Sequence, residues 1–342
     1  MFKLNIQHFA AGENVHTTSG MAANSSGNIT PYGESGGLSA EMKTYYSDYL
    51  IDMAEPKLVH DQFGQKRPIP QGSGKMIEFR KYDPLPKMTT PLVEGVTPNG
   101  QKLDVKTVTA EVKQYGGFIE LSDVLMLSAI DNNLVQATKL LGGQAGRSLD
   151  TITREVLSGG TNVQYAEGQV ESRSALKGGQ ADGNHYLTVD AIRKAVRTLK
   201  RLNAEPLEGG SFVGIIHPDA AYDLMSDPKW VNVKTYSDPE GIYQGEIGKI
   251  ENVRFVETSE AKIFEGAGSG GVDVYSTLIL GDNAYGTTEL SGGGLEHIVK
   301  QLGSAGTADP LNQRATAGWK ATKAAVRLVE PYMVRIETAA SV

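Results

Sequence analysis

The chain of 342 residues contains no cysteine, which excludes a disulfide framework and any thiolate metal site. It has no apolar run approaching the roughly 18 residues of a membrane-spanning helix. An excess of positive charge is missing too: 33 Lys and Arg stand against 40 Asp and Glu, and the net charge of −7 argues against general affinity for a nucleic-acid backbone, which needs clustered cations. The six histidines (His8, His16, His60, His185, His217, His297) are scattered, with no close pair and no H-E-x-x-H, so no metal site and no zinc hydrolase is expected. The apolar part of Met1 to Ala11 is short and interrupted by Lys3, Asn5, Gln7 and His8, so it is not expected to act as a secretory signal.

What is present is glycine, 40 residues of it, beside a modest hydrophobic fraction of 39%. That mixture suits a folded protein with long loops and extended arms, and the length allows two or three lobes. The organising stretch runs from Thr107 to Gly159. Val108, Ala110 and Val112 alternate with polar residues, as a half-buried strand requires. Gly116-Gly117 is expected to bend the backbone, and Ser122 stands where a helix N-cap belongs. Apolar residues then recur at Leu134, Leu141, Ala145, Leu149, Ile152 and Val156, the stripe of a helix on a core. Asp131-Asn132-Asn133 marks a break, Ser158-Gly159-Gly160 a stop, and the second part alone would span roughly 40 Å at 1.5 Å per residue.

Around this spine, residues 12–40 are polar and without period. Leu38 to Ala54 predicts a helix with Tyr45 and Tyr49 on its apolar side. Residues 56–104 hold seven of the 14 prolines. Within them Lys75 to Tyr82 alternates, Ile77 and Phe79 against Glu78 and Arg80, and can pair with Thr107 to Lys113. The connection Asp83 to Asp104 is long for a compact domain and reads as a projecting hairpin. Its apolar tip from Leu85 to Val96, with Leu92 and Val93, would need a partner chain. Later, Thr188 caps a helix to Leu202, Phe212 to Ile216 reads as a buried strand, and Pro218 opens a short helix. Val253 to Val256, Leu278 to Leu280 and Met333 to Thr338 read as strands, a mixed α/β pattern. Trp319 to Ala324 fits helix by propensity and strand by pattern.

Two glycine motifs imitate nucleotide sites. Gly72-Ser73-Gly74-Lys75 lacks the earlier Gly and the following Ser or Thr of a phosphate loop, and leads into a strand. Gly266, Gly268 and Gly271 satisfy G-x-G-x-x-G, but again precede a strand instead of a helix. Arg193, Lys194, Arg197, Lys200 and Arg201 share one helix face. They could touch nucleic acid or an acidic neighbouring subunit, or be a solvated face opposite an apolar stripe.

The order of these parts resembles the major capsid protein of tailed bacteriophages, the Hong Kong ninety-seven fold, and is closest to the phage N-four coat protein family. The resemblance rests on Gly74 to Tyr82 (GKMIEFRKY) with Pro84-Leu85, on Gln114 to Asp123 (QYGGFIELSD), and on Gly245 to Ile250 (GEIGKI) followed by Val253 to Glu257 (VRFVE). Asp309 to Arg314 (DPLNQR) through Gly318-Trp319-Lys320 and the opening MFKLNIQ are similar as well. It implies an α+β capsid fold with an N-terminal arm (1–60), an extended β-hairpin loop (61–117), a spine helix and peripheral lobe (118–185), an axial α/β lobe (186–304) and C-terminal strands (305–342) returning to the peripheral lobe. It makes Ala315 to Ala325 a strand. It implies a virion protein without catalytic residues or cofactors, assembled in the host cytoplasm into hexamers and pentamers around double-stranded DNA, with a scaffold or portal as partners and no membrane. Ile77, Phe79, Leu85, Leu92, Val93, Val96, Tyr45 and Tyr49 are the expected subunit-interface residues. A cargo-enclosing nanocompartment of the same fold and a nucleotide-dependent enzyme are the alternatives.

Overall fold

The computed structural model describes residues 6–7, 15–18, 50, 54, 58–69, 75–82, 85–92, 94–95, 97, 100–103, 105–128, 133–166, 170–178, 185–207, 209–230, 248–289, 295–304, 306 and 309–341. In chain order the strands are β1 (Ile6–Gln7), β2 (Val15–Thr18), β3 (Gln65–Arg67), β4 (Met76–Tyr82), β5 (Val105–Glu111) and β6 (Lys113–Ser122). Helices α1 (Asp123–Ser128) and α2 (Asn133–Ser158) follow, then β7 (Val163–Tyr165), α3 (Val189–Arg201), β8 (Phe212–Ile216) and α4 (Pro218–Ser226). The rest is β9 (Lys249–Ile250), β10 (Val253–Glu257), β11 (Ile263–Phe264), β12 (Val274–Leu280), β13 (Tyr285–Thr288), β14 (Leu295–Lys300), β15 (Arg314–Lys323), β16 (Ala325–Arg327) and β17 (Met333–Thr338). Two compact units result. One joins residues 1–62, 113–154 and 288–323; the other joins 63–112, 155–287 and 324–342.

The first unit is a sheet of order β1-β2-β6-β15-β14 backed by α2. Strand β6 passes into α1 at Ser122, whose Oγ accepts from Leu125 N at 3.3 Å, the expected cap. Ala137, Leu141, Ala145 and Leu149 lie a helical turn apart and are buried, and the last three pack against Trp319, Ala317, Ala321 and Leu295. Leu50 and Ala54, both helical, are buried in the same core. The remainder of the helix expected there, with Tyr45 and Tyr49, lies outside the described residues, as does Asp131-Asn132.

Gly116 and Gly117 do not bend the chain as expected. They continue β6 flat beside β15, in register Gly117↔Trp319 and Gly116↔Lys320. The reason is space: a Cβ on Gly117 would lie 2.8 Å from Gln144 Oε1, and one on Gly116 would lie 2.8 Å from the Trp319 carbonyl oxygen. The gap lets Trp319 Nε1 donate to Gln144 Oε1 at 3.0 Å.

The second unit is built on a sheet of order β7-β17-β12-β8-β10-β9, with β11 also on β12. Helices α3 and α4 cover it. Thr188 caps α3 by accepting from Ala191 N, and Val189, Ile192, Val196 and Leu199 are buried against Phe212, Ile216, Val253 and Ile336. The chain's C-terminal strands divide. β15 pairs with β6 in the first unit, whereas β17 pairs with β12 and β7 in the second. The strands expected together at 305–342 therefore serve two cores, and β14, inside the expected axial lobe, pairs with β15. The cause is burial demand: Val334 and Ile336 complete the apolar face under α3.

Candidate assembly surfaces

The hairpin has an anchored base and a bare tip. Strands β4 and β5 pair from Met76↔Glu111 to Tyr82↔Val105. Alternation turns Ile77 and Phe79 to one side, where they are buried with Ala110 and Ala324 beside Val326 and Leu328. The Phe79 ring lies where a Cβ on Gly286 would be, 2.4 Å from its Cε1. These two expected interface residues are thus consumed inside the chain's own core and present no side-chain surface to a neighbour. Beyond Tyr82 every described residue from 85 to 103 is exposed and outside regular structure. Leu85 is 54% and Leu92 75% exposed. Met88 and Leu103 stand out with them. Val93 and Val96 lie outside the described residues.

A second apolar surface is the outer face of the β6–β15–β14 sheet. Phe118, Gly318 and Ile298 are opposed across the three strands. Phe118 is 67% and Ile298 39% exposed. Gly318 has no room for a side chain, since its Cβ would meet Phe118 Cβ at 2.9 Å. Beside this row lies a groove of about 370 Å³ floored by Gly116, Gly117 and Gly318. The Lys320–Glu296 ion pair, 3.0 Å, flanks it. The sequence signal for this face is the phase that Phe118 shares with Gln114 and Gly116 along β6.

The charged face of α3 is exposed opposite its buried stripe. Arg193 is bonded to Glu251 at 2.7 Å and to Asp190 at 3.2 Å. Its guanidinium is held above its usual pKa by the hydrogen bond to Glu251. Lys229 also pairs with Asp190, whose carboxyl is lowered chiefly by that bond.

The described residues that imitate enzyme chemistry are engaged in local structure. Lys75 leads directly into β4, while Gly72 to Gly74 lie outside the described residues. The 266–271 loop spends its amides internally: Gly268 N donates to Val272 O at 2.8 Å and Gly266 N to Asp273 Oδ1 at 2.7 Å. Strand β12 follows it, leaving no helix start for a phosphate. His217 caps α4, its Nδ1 accepting from Asp219 N at 3.2 Å. The neighbouring Tyr275 phenol is pushed up to about 12 by burial and then by its hydrogen bond to Asp219, so it stays protonated at neutral pH. Among the described residues no three His, Asp or Glu converge on a metal position. No described helix is long and apolar enough to cross a membrane.

Two buried polar clusters escaped the sequence. In the first unit Lys323 Nζ bonds Asp61 Oδ2, Thr153 Oγ1 donates to Asp61 Oδ1 at 2.6 Å, and His60 N and Nδ1 each meet Asp150 at 2.7 Å. In the second, Glu337 is 0% exposed. It accepts from Arg173 Nε and Nη2 at 2.7 Å and from Arg335 Nε at 2.8 Å. The Arg173 guanidinium lies 3.5 Å over the Phe264 ring, and its pKa is raised mainly by the Glu337 bond. Asp150 stands well off the apolar stripe of α2 that Leu141, Ala145 and Leu149 define, so its helical phase carried no signal of the first cluster.

Comparison with known proteins gives these surfaces a setting. Residues 120–294 match the family described as phage capsid protein. The capsid of Ralstonia phage GP4 has a similar fold, with a TM-score of 0.63 at 16% identity, covering 82% of this chain and 87% of that one. The capsid of cyanophage P-SCSP1u gives 0.58 at 14% identity over 82% and 87%. The cyanophage Pam1 capsid gives 0.55 at 15% identity over 94% and 100%. Nothing among curated proteins matches the sequence. The mixed α+β architecture is that of the Hong Kong ninety-seven capsid fold. The chain belongs to the phage capsid protein family, and it is a structural major capsid protein of the icosahedral head.

Proposed function

We propose that this capsid protein closes its head by laying the 83–104 hairpin tip of each copy on the β6–β15–β14 face of a neighbour. The observation that carries the reading is the contrast within one hairpin: a base buried around Phe79 and a tip with Leu92 75% exposed. Exposed apolar residues on an extended segment gain by burial on another copy, and the glycine-floored groove beside Phe118 admits a backbone closely. Ordering such arms on neighbours couples each contact to the next, so many weak symmetric contacts close a shell. The copies form hexamers and pentamers with the α3 lobe about the axes, in the virion, after assembly in the host cytoplasm. The acidic balance, −7 per chain, suits a wall that holds double-stranded DNA without clinging to it. A scaffold or portal completes the particle, and the chain has no catalytic role. The chain is a coat protein of the N-four type, a reading supported by the resemblance carried by Gly74 to Tyr82 and Gln114 to Asp123.

The test is Leu85→Asp with Leu92→Asp. The variant folds as the parent does but gives no closed shells by electron microscopy and light scattering; normal particles from it refute the role of the tip. A co-purifying enzyme inside wild-type shells would instead mark a cargo compartment.

A further inference from the structure

The sheet of the second unit is electrically polar along its strands. Where β8 and β10 begin, the last turn of α3 carries Lys200 and Arg201, and the β9–β10 pair sets Lys249 and Arg254 directly opposite each other. All four are exposed, and none has an ion pair or hydrogen-bonded side-chain partner among the described residues. Like charges facing each other across a ladder destabilise it, so this pair gains from an outside anion.

Where β8 and β10 end, the sign reverses. Glu257 closes β10. Strand β12 overruns the end of β8, since Leu278 is the last residue paired, opposite Ile215, and its first residues pair with β11. The β11–β12 loop therefore stands at that end, and it carries Glu265 and Asp273. Glu257, Glu265 and Asp273 are exposed and form no ion pair among the described residues.

The basic end suits protein better than DNA. Its groove of about 760 Å³ sets Asp190 and Glu251 among Arg193, Lys194, Arg197 and Lys200, a mixture of signs that offers a protein surface partners of both kinds, whereas a phosphate backbone uses the cations alone. Arg193, bonded to Glu251 at 2.7 Å, shows the kind of pairing this surface makes. The same chain supplies the complementary end. A contact between unlike ends of identical subunits is heterologous, and it closes into a ring when the rotation per step divides the circle.

We propose that the basic start of this sheet docks on the acidic end of the same sheet in the next copy, a head-to-tail contact that closes the capsomer ring. This rests on the shell reading above.

Charge exchange in the full chain tests it. Lys249→Glu with Arg254→Glu, and separately Glu257→Lys with Glu265→Lys, should each abolish rings and shells in sizing chromatography and electron microscopy. Both variants should melt as the parent does, because each alters exposed side chains only. The fourfold variant carrying both reversals should assemble again. The neutral pair Lys249→Gln with Arg254→Gln should assemble weakly and lose the salt sensitivity of the parent, which keeps the test open should a reversal misfold. Normal particles from either reversal overturn the contact alone, as does failure of the fourfold variant to recover. Closed shells from the basic-end reversal that package less DNA assign those cations to nucleic acid and overturn it too. A parent chain that stays monomeric under all salt and concentration conditions overturns the shell reading and this contact with it.

Discussion

Replacing Phe79 by Ala removes a ring that is 0% exposed and packed over Gly286. Transfer of that ring to water costs about 2–3 kcal/mol. The space it leaves adds more, because β13 beneath it is a backbone held in register by β16 and cannot close the gap, which brings the total to about 3–5 kcal/mol. At about 2–4 °C per kcal/mol for a unit of this size, the melting temperature should fall by roughly 6–20 °C. Leu92→Asp also deletes a large apolar side chain from the same hairpin. Its parent residue is 75% exposed, so the expected change is within about 0.5 kcal/mol. Scanning calorimetry on unassembled subunits reads the first effect, and particle formation reads the second. The two variants should therefore separate: Phe79→Ala loses stability, and Leu92→Asp loses shells while keeping the parent's melting temperature. Equal and large destabilisation by both would mean that the tip is packed within its own chain, and the division into anchored base and bare tip would be wrong.

Glu337→Gln should destabilise the chain by about 3–5 kcal/mol, because it leaves the buried Arg335 and the half-buried Arg173 facing a neutral amide; a denaturant midpoint unchanged from the parent would refute this. His297 is held below its ordinary pKa by burial. The folded state therefore binds its proton less readily than the unfolded chain, and the associated stability is full above pH 6.5 and declines as pH falls through the depressed value. Comparing urea midpoints at pH 7.5 and pH 5 in the parent and in His297→Gln checks it: the variant should lose less stability on acidification, and equal losses would count against the burial argument.

Local periodicity made much of the fold readable. The alternation at Ile77 and Phe79 fixed β4 and its partner, Ser122 and Thr188 marked two helix starts, and the stripe from Leu141 to Leu149 outlined α2. What failed depends on distant partners. Gly116-Gly117 reads locally as a hinge, and only the presence of Trp319 and Gln144 makes it a flat stretch of close approach. Strand β17 alternates like any strand, and nothing in residues 333–338 states that β12 is its neighbour. Of the expected surface, Leu85 and Leu92 are exposed as a bare tip requires, whereas Ile77 and Phe79 carry the same apolar signal and serve the chain's own core. A strand that faces inward and one that faces a partner have one pattern; the difference lies in what else folds over them.

Each compact unit is assembled from three separate stretches of chain, and three of the five crossings between them are abrupt. Val112 alone separates β5 from β6, Ala324 alone separates β15 from β16, and α2 runs unbroken through the third crossing. No truncation therefore releases one unit intact, and no graft at those three boundaries finds slack to accept it. Such a gene is inherited, recombined and engineered as a whole. Length added at 83–104 costs the subunit only loop entropy, since the described backbone there carries no ladder, but it would fall in the contact that closes the shell.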